Sequence, residues 1–323
     1  MTGSRPSCRI PAYFDTQMKL RIQHRTTYRY AEKVLFGPHR IMLRPREGHD
    51  IQIEQSVLEI APAHRIHWIR DSYGNSIAVV NFTERSSKLM IYSVLLLTHF
   101  GANPFDFCIE QEATQYPFAY DLETSLELSA LVQVVYPADA PRVWEWLGQF
   151  WWTGQSIDTL TLLQNMNKAI NRMFRYQARD AQGVQSPAVT LQKSSGSCRD
   201  FATLFIEACR CLGLAARFVS GYMLGGSTTG LGASTHAWAE VYLPGGGWKG
   251  FDPTMGLLTT TQHVPVAVSR HSEHAMPVTG SFVGPGSAFL KIEVDVRVEE
   301  IIPVRQIAFR PILQQNQSIY PTV

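Results

Sequence analysis

The chain has 323 residues, 45% of them hydrophobic and 17% charged, a composition that supports large cores and excludes a disordered chain. Lys plus Arg total 29 against 27 Asp plus Glu, a net charge of +2, which lacks the basic excess of a dedicated nucleic-acid binder. Five cysteines are too sparse for a disulfide scaffold, and the longest apolar run, Leu89 to Leu97, is far too short to cross a membrane as a helix. Residues 1–17 have no periodicity and contain Pro6 and Pro11, so they read as a flexible extension. They lack a basic stretch followed by an apolar one, so a cytoplasmic protein is expected.

From Met18 to Phe100 the pattern is that of β-strands. Leu20, Ile22 and His24 alternate with polar neighbours. Ile51, Ile53, Gln55, Val57 and Glu59 share one parity, and Ile77 to Phe82 and Leu89 to Leu97 are short apolar runs. Asp71-Ser72-Tyr73-Gly74-Asn75 is a turn cluster ahead of the first of these runs. Residues 18–120 are therefore expected to form an antiparallel β-domain. The stretch 101–155 holds one basic and eight acidic residues and several prolines, and reads as a solvated connector with short helices. Leu160, Leu163, Asn167, Ile170 and Phe174 recur at helical spacing, with Asp158 as a cap. A second helix starts near Cys198 and stops at Gly213. Strands are expected at Ala215 to Tyr222, His236 to Leu243 and Trp248 to Phe251. Phe289 to Val298 alternates, with Leu290, Ile292, Val294 and Val296 on one face expected to be buried. The fold class is α+β: a β-domain over 18–120, a mixed helix and strand core over 121–280, a packing strand within 281–303 and a tail over 304–323.

Three stretches carry chemistry. In Ser195-Gly196-Ser197-Cys198-Arg199-Asp200-Phe201, a cysteine follows a small flexible loop and opens a helix. Backbone N–H groups and the positive helix end then face the sulfur and favour thiolate, the nucleophilic form. In Thr235-His236-Ala237-Trp238-Ala239-Glu240-Val241, His236, Trp238 and Glu240 share one face of a strand. In Trp248-Lys249-Gly250-Phe251-Asp252-Pro253-Thr254, a carboxylate follows a short strand and can orient an imidazole. Together these supply a nucleophile, a base and an orienter. Cys108, Cys209 and Cys211 read as core or bystander thiols. A metal site from Cys198, Cys209, Cys211 and His236 fails on helix geometry, because three turns separate Cys198 from Cys209 and Cys211 faces away. The remaining histidines form no i, i+4 pair. No metal and no cofactor are expected.

At these stretches the sequence resembles the bacterial transglutaminase-like family, whose members are often described as cysteine proteases. Gly183-Val184-Gln185-Ser186-Pro187 and Ser195 to Ala202 resemble its nucleophile region, and Gly213 to Tyr222 its following strand. His236 to Val241 and Gly250 to Thr254 resemble its histidine and aspartate motifs, Met255 departing from the asparagine of many relatives. Tyr28-Arg29-Tyr30 and Arg40 to Pro45 are similar to its N-terminal β-region. The resemblance implies a papain-like α+β core with Cys198, His236 and Asp252 as its triad.

The expected function is acyl transfer from an amide or peptide bond through a thioester, with hydrolysis expected over transglutamination. A catalytically silent peptide-binding module is the reading from another class. Gln185 is a candidate for the second oxyanion donor. Trp238 and Tyr222 are candidate pocket walls, beside a mobile Gly-rich rim from Gly225 to Gly232. A peptide or protein is the expected partner, with no nucleic acid and no membrane.

Overall fold

Alternation at the start of the chain becomes two long paired strands in the computed structural model, which describes residues 16–101, 103–179, 183–225 and 235–302. The first half contains β1 (Thr16–Phe36), β2 (His39–Ile41), β3 (Ile51–Ala61), β4 (His64–Arg70), β5 (Ser76–Phe82) and β6 (Ser86–Gly101). Short pieces follow: β7 (Gln115–Tyr116), α1 (Leu122–Val132), α2 (Ala140–Leu147) and β8 (Ile157–Asp158), which pairs with β7. The acidic connector thus holds two helices, with Asp121 capping α1 through Thr124 N at 2.9 Å.

The core continues with α3 (Thr159–Met173), β9 (Arg175–Tyr176), α4 (Pro187–Lys193), β10 (Ser195–Gly196) and α5 (Cys198–Cys211). Asp158 caps α3 as expected, accepting from Thr161 N at 2.7 Å. Gly213 adopts φ 76° just past α5, a conformation that favours glycine. Next come β11 (Ala216–Met223), β12 (Thr235–Leu243), β13 (Gly247–Asp252), β14 (Leu257–Leu258) and β15 (His263–Ser269). They form one antiparallel sheet in the order β14-β13-β12-β11-β15, and α5 packs on its β11–β12 face. The chain then returns to the first half through β16 (Val278–Thr279), β17 (Phe282–Val283) and β18 (Phe289–Glu300), which pair with β2, β1 and β1 respectively.

Two sheets of the first half, β3-β6-β1-β18 and β16-β2-β5-β4, face each other. Tyr30, Val34, Phe36, Leu89 and Ile91 meet Ile41, Ala78 and Val80 between them. The far end of the first sheet packs on the core sheet, where Leu20, Ile22, Leu95 and Leu97 contact Tyr222, Val264 and Val266. Two expectations are corrected. The single parity assigned to β3 breaks at a bulge between Ile53 and Gln55, so Leu58 and Ile60 turn inward instead of Val57 and Glu59. On β18 only Val296 and Val298 are buried, because Leu290, Ile292 and Val294 run past the core and stay exposed. Among the described residues no helix is long and apolar enough to cross a membrane.

Candidate active site

Cys198 is the first residue of α5, and the loop before it is held by a single buried carboxylate. Asp200 Oδ2 accepts from Ser197 N at 2.8 Å and from the Ser197 hydroxyl at 2.9 Å. Its Oδ1 accepts from Gln185 N at 2.7 Å and from Arg179 at 2.6 Å. Burial would raise its carboxyl, but these four donors outweigh it and hold the group below the ordinary carboxylate range. Asp200 is thus a structural clamp that ties Gln185 to the loop carrying the cysteine. The Gln185 side chain donates from Nε2 to Ser195 O at 2.9 Å and lies over Gly196. A Cβ at Gly196 would stand 3.0 Å from that amide nitrogen and 2.8 Å from Asp200 Cβ, so glycine is needed for the close approach.

His236 lies on β12, opposite Gly221 of β11. Its Nε2 donates to Asp252 Oδ2 at 2.7 Å, which leaves Nδ1 for the Cys198 sulfur, a hydrogen-bond partner of the ring. Asp252 ends β13 and is completely buried. Its Oδ1 accepts from Thr254 N at 2.8 Å and Met255 N at 3.2 Å. The three residues singled out from sequence are therefore brought together. Burial pushes the His236 imidazole down, but the charge and hydrogen bond of Asp252 and the contact with Cys198 outweigh it and raise the ring to about 10. Asp252 shifts the opposite way: burial raises it, and the facing imidazoles lower it further still.

The two aromatic candidates are supports rather than walls. Trp238 is 1% exposed and packs beneath the histidines, its ring tilted against His236 and edge-on to His263 at 5.3 Å. Tyr222, also 1% exposed, points to the first-half sheet and meets His24 Nδ1 at 3.0 Å through its hydroxyl. The Gly-rich rim lies outside the described residues apart from Gly225. Glu240 is engaged by Arg217 at 2.7 Å, away from the imidazoles. Cys209 is fully buried, and burial pushes the Cys211 thiol up to about 11, so neither competes as a nucleophile. Cys108, expected as a core or bystander thiol, is exposed and disulfide-bonded.

Two site residues escaped the sequence reading. Tyr176 on β9 lies beside the cysteine loop, where β9 pairs with β10, and its half-buried hydroxyl is pushed up by burial and by the neighbouring Cys198 sulfur. His263 opens β15, and its Nε2 donates to the same Asp252 Oδ2 at 3.1 Å. Its signal was the alternating run His263 to Ser269, a strand pattern with a histidine at its head. By distance alone His236, Asp252 and His263 could hold a metal ion, their ligand atoms lying within 4.8 Å of one another. The hydrogen bonds favour donation instead. Thr260 N–H donates to His263 Nδ1 at 3.1 Å, so that nitrogen is bare and Nε2 carries the proton.

Residues 20–97 match the family described as the bacterial transglutaminase-like N-terminal region, and residues 153–253 match the transglutaminase-like superfamily. The chain belongs to the bacterial transglutaminase-like family. All three of Cys198, His236 and Asp252 fall within the second match. The chain is similar to the uncharacterized protein Rv2569c of Mycobacterium tuberculosis, 26% identical over 294 residues, which cover 86% of this chain and 92% of that one. The uncharacterized protein ML0607 of Mycobacterium leprae is 32% identical over 119 residues, 35% of this chain and 42% of that one. Among solved structures it resembles "a Putative Cysteine Protease from Cytophaga hutchinsonii", with TM-score 0.70 and 19% identity, covering 88% of this chain and 91% of that one. That likeness shows a shared fold across both halves of the chain, and the match over residues 153–253 marks the core as transglutaminase-like.

Proposed function

We propose that this transglutaminase-like protein is a cysteine-nucleophile acyl-transfer enzyme that hydrolyses an amide or peptide bond of a peptide or protein through a thioester. The observation that carries the reading is the placement of His236, bonded through Nε2 to Asp252 and through its other face to the sulfur of a cysteine at a helix start. The Cys198 sulfur attacks the amide carbonyl carbon, an S–C bond forms, and the carbonyl π pair moves onto oxygen. His236 Nδ1, protonated across neutral pH because the ring is raised to about 10, delivers that proton to the leaving amine as the C–N bond breaks. Water adds to the thioester, gives a proton to His236, and releases the carboxylic acid while the thiolate is restored. Asp252 fixes the tautomer and stabilises the imidazolium. The Cys198 N–H and the second Nε2 proton of Gln185 are the donors for the oxyanion. A raised His236 keeps the imidazolium available as the acid across neutral pH.

Water is the acceptor that needs no second binding site, which favours hydrolysis. The test is partitioning on an acyl substrate with rising primary amine, alongside substitution. Cys198→Ala abolishes turnover and leaves the melting temperature unchanged, and Asp252→Ala lowers kcat by about 10²–10⁴-fold. Amine product dominating at millimolar amine would replace the hydrolase reading with a transglutaminase, and an active Cys198→Ala would remove the mechanism altogether.

A further inference from the structure

The acyl-transfer reading leaves unexplained why a second buried imidazole donates to the carboxylate oxygen that holds His236. Asp252 Oδ1 is fixed by Thr254 N–H and Met255 N–H. Both oxygens turn together about Cβ–Cγ, a torsion with a broad minimum, so bonds at Oδ1 alone narrow that turn without fixing it. Oδ2 accepts from His236 at 2.7 Å and from His263 at 3.1 Å. The second donor removes the remaining freedom and directs one Oδ2 lone pair at His236.

We propose that His263 is a positioning residue of the acyl-transfer site, whose Nε2–H pins Asp252 Oδ2 against His236 through a tautomer set by Thr260 N–H. The ring is built to stay where it is. It is 6% exposed, lies edge-on to Trp238, and its backbone pairs with Met223 of β11. The turn before it is anchored from the first half of the chain, where His99 Nδ1 on β6 donates to Thr261 O at 2.9 Å. The titratable groups that face His263 are Asp252 and His236 from the core sheet and His99 from β6. The N-terminal sheet therefore braces the orienting carboxylate without touching it. His263 lies beyond the stretch matched to the superfamily, which ends at 253, so this anchor belongs to the part of the chain that couples core to N-terminal region.

The experiment compares wild type with His263→Leu, His263→Gln, Asp252→Ala and the Asp252→Ala/His263→Leu double variant, each checked by melting temperature. His263→Leu lowers kcat by about 10²-fold, the size expected when a reacting group is displaced by about 1 Å, while KM stays constant. His263→Gln, whose side-chain amide reaches a similar point with an N–H, recovers most of the loss. In the Asp252→Ala background His263→Leu has no further effect, because the two act as a unit. A loss confined to KM, full additivity with Asp252→Ala, or a folded His263→Gln as impaired as His263→Leu would each overturn the proposal. A second readout needs no turnover: proton NMR of the His236 ring N–H bonded to Asp252. That signal shifts and broadens in His263→Leu and returns in His263→Gln, and an unchanged signal overturns the proposal even if no substrate is found. A wild type that turns over no acyl substrate but shows this NMR response would instead refute the acyl-transfer reading alone.

Discussion

His236 sits buried between a sulfur and a carboxylate, and its burial works against its charge. Asp252 wins that contest and lifts the imidazole from 6.5 to about 10. A group raised on folding contributes stability that is fully present below its unfolded value and is lost as pH rises through the folded one. Stability should therefore decline between about pH 6.5 and 10 as the imidazolium loses its proton. Asp252, depressed on folding, contributes stability above the ordinary carboxylate value and loses it in acid. Urea midpoints over pH 6 to 10 should fall in wild type and fall less in His236→Gln, and equal slopes would show that another group titrates there. Of these residues Cys198, His236 and Asp252 were legible because each stands in a distinctive local setting: a Ser/Gly loop, a strand and an Asp-Pro turn. His263 and Tyr176 were not, since a lone histidine or tyrosine on a strand acquires its role only from the register that brings it to the carboxylate or the sulfur.

At the scale of elements, the amino end of α5 is the device that makes a cysteine a candidate nucleophile. Its capping carboxylate Asp200 gathers the cysteine loop, the Gln185 turn and Arg179 around one buried group. Asp200→Ala strands the Ser197 and Gln185 N–H groups and the Arg179 charge, so a loss of about 2–4 kcal/mol is expected, read from chemical denaturation. A loss under about 0.5 kcal/mol, the level of an ordinary surface change, would mean that the loop holds itself. The periodic helices α3 and α5 and the core-sheet strands β11, β12 and β13 were legible from apolar spacing to within a residue or two at their ends, whereas β14 and β15 were not read. The β3 parity was not, because a bulge shifts the pattern by one residue and depends on pairing with β6. Nor was the burial of β18, since alternation marks a strand face but not how far the core beneath it extends.

Across the whole molecule, the two halves are joined by more than the linker. Asn75, completely buried in the turn between β4 and β5, donates to Val268 O at 2.7 Å and accepts from Val268 N at 2.9 Å, as an added backbone partner for β15. Its Oδ1 also accepts from Arg46 at 3.0 Å. Met42 and Ile77 of the first half enter the main core cluster with α5 and β12. Asn75→Ala leaves buried Val268 groups unpaired and should cost about 2–4 kcal/mol, with wild type and variant each unfolding in one transition by fluorescence and by circular dichroism. Two separated transitions would contradict this coupling of sheet and core. This union was not legible in sequence, because the Asp71 to Asn75 cluster reads as a turn whether or not its last side chain reaches a distant strand. The most direct test of the central claim is rapid-quench mass spectrometry of the protein mixed with an amide or activated acyl substrate. The account predicts an adduct equal to the acyl group on the peptide containing Cys198, formed before product and absent from Cys198→Ala. Steady turnover with no covalent adduct, or an adduct on Cys211 instead, would contradict it.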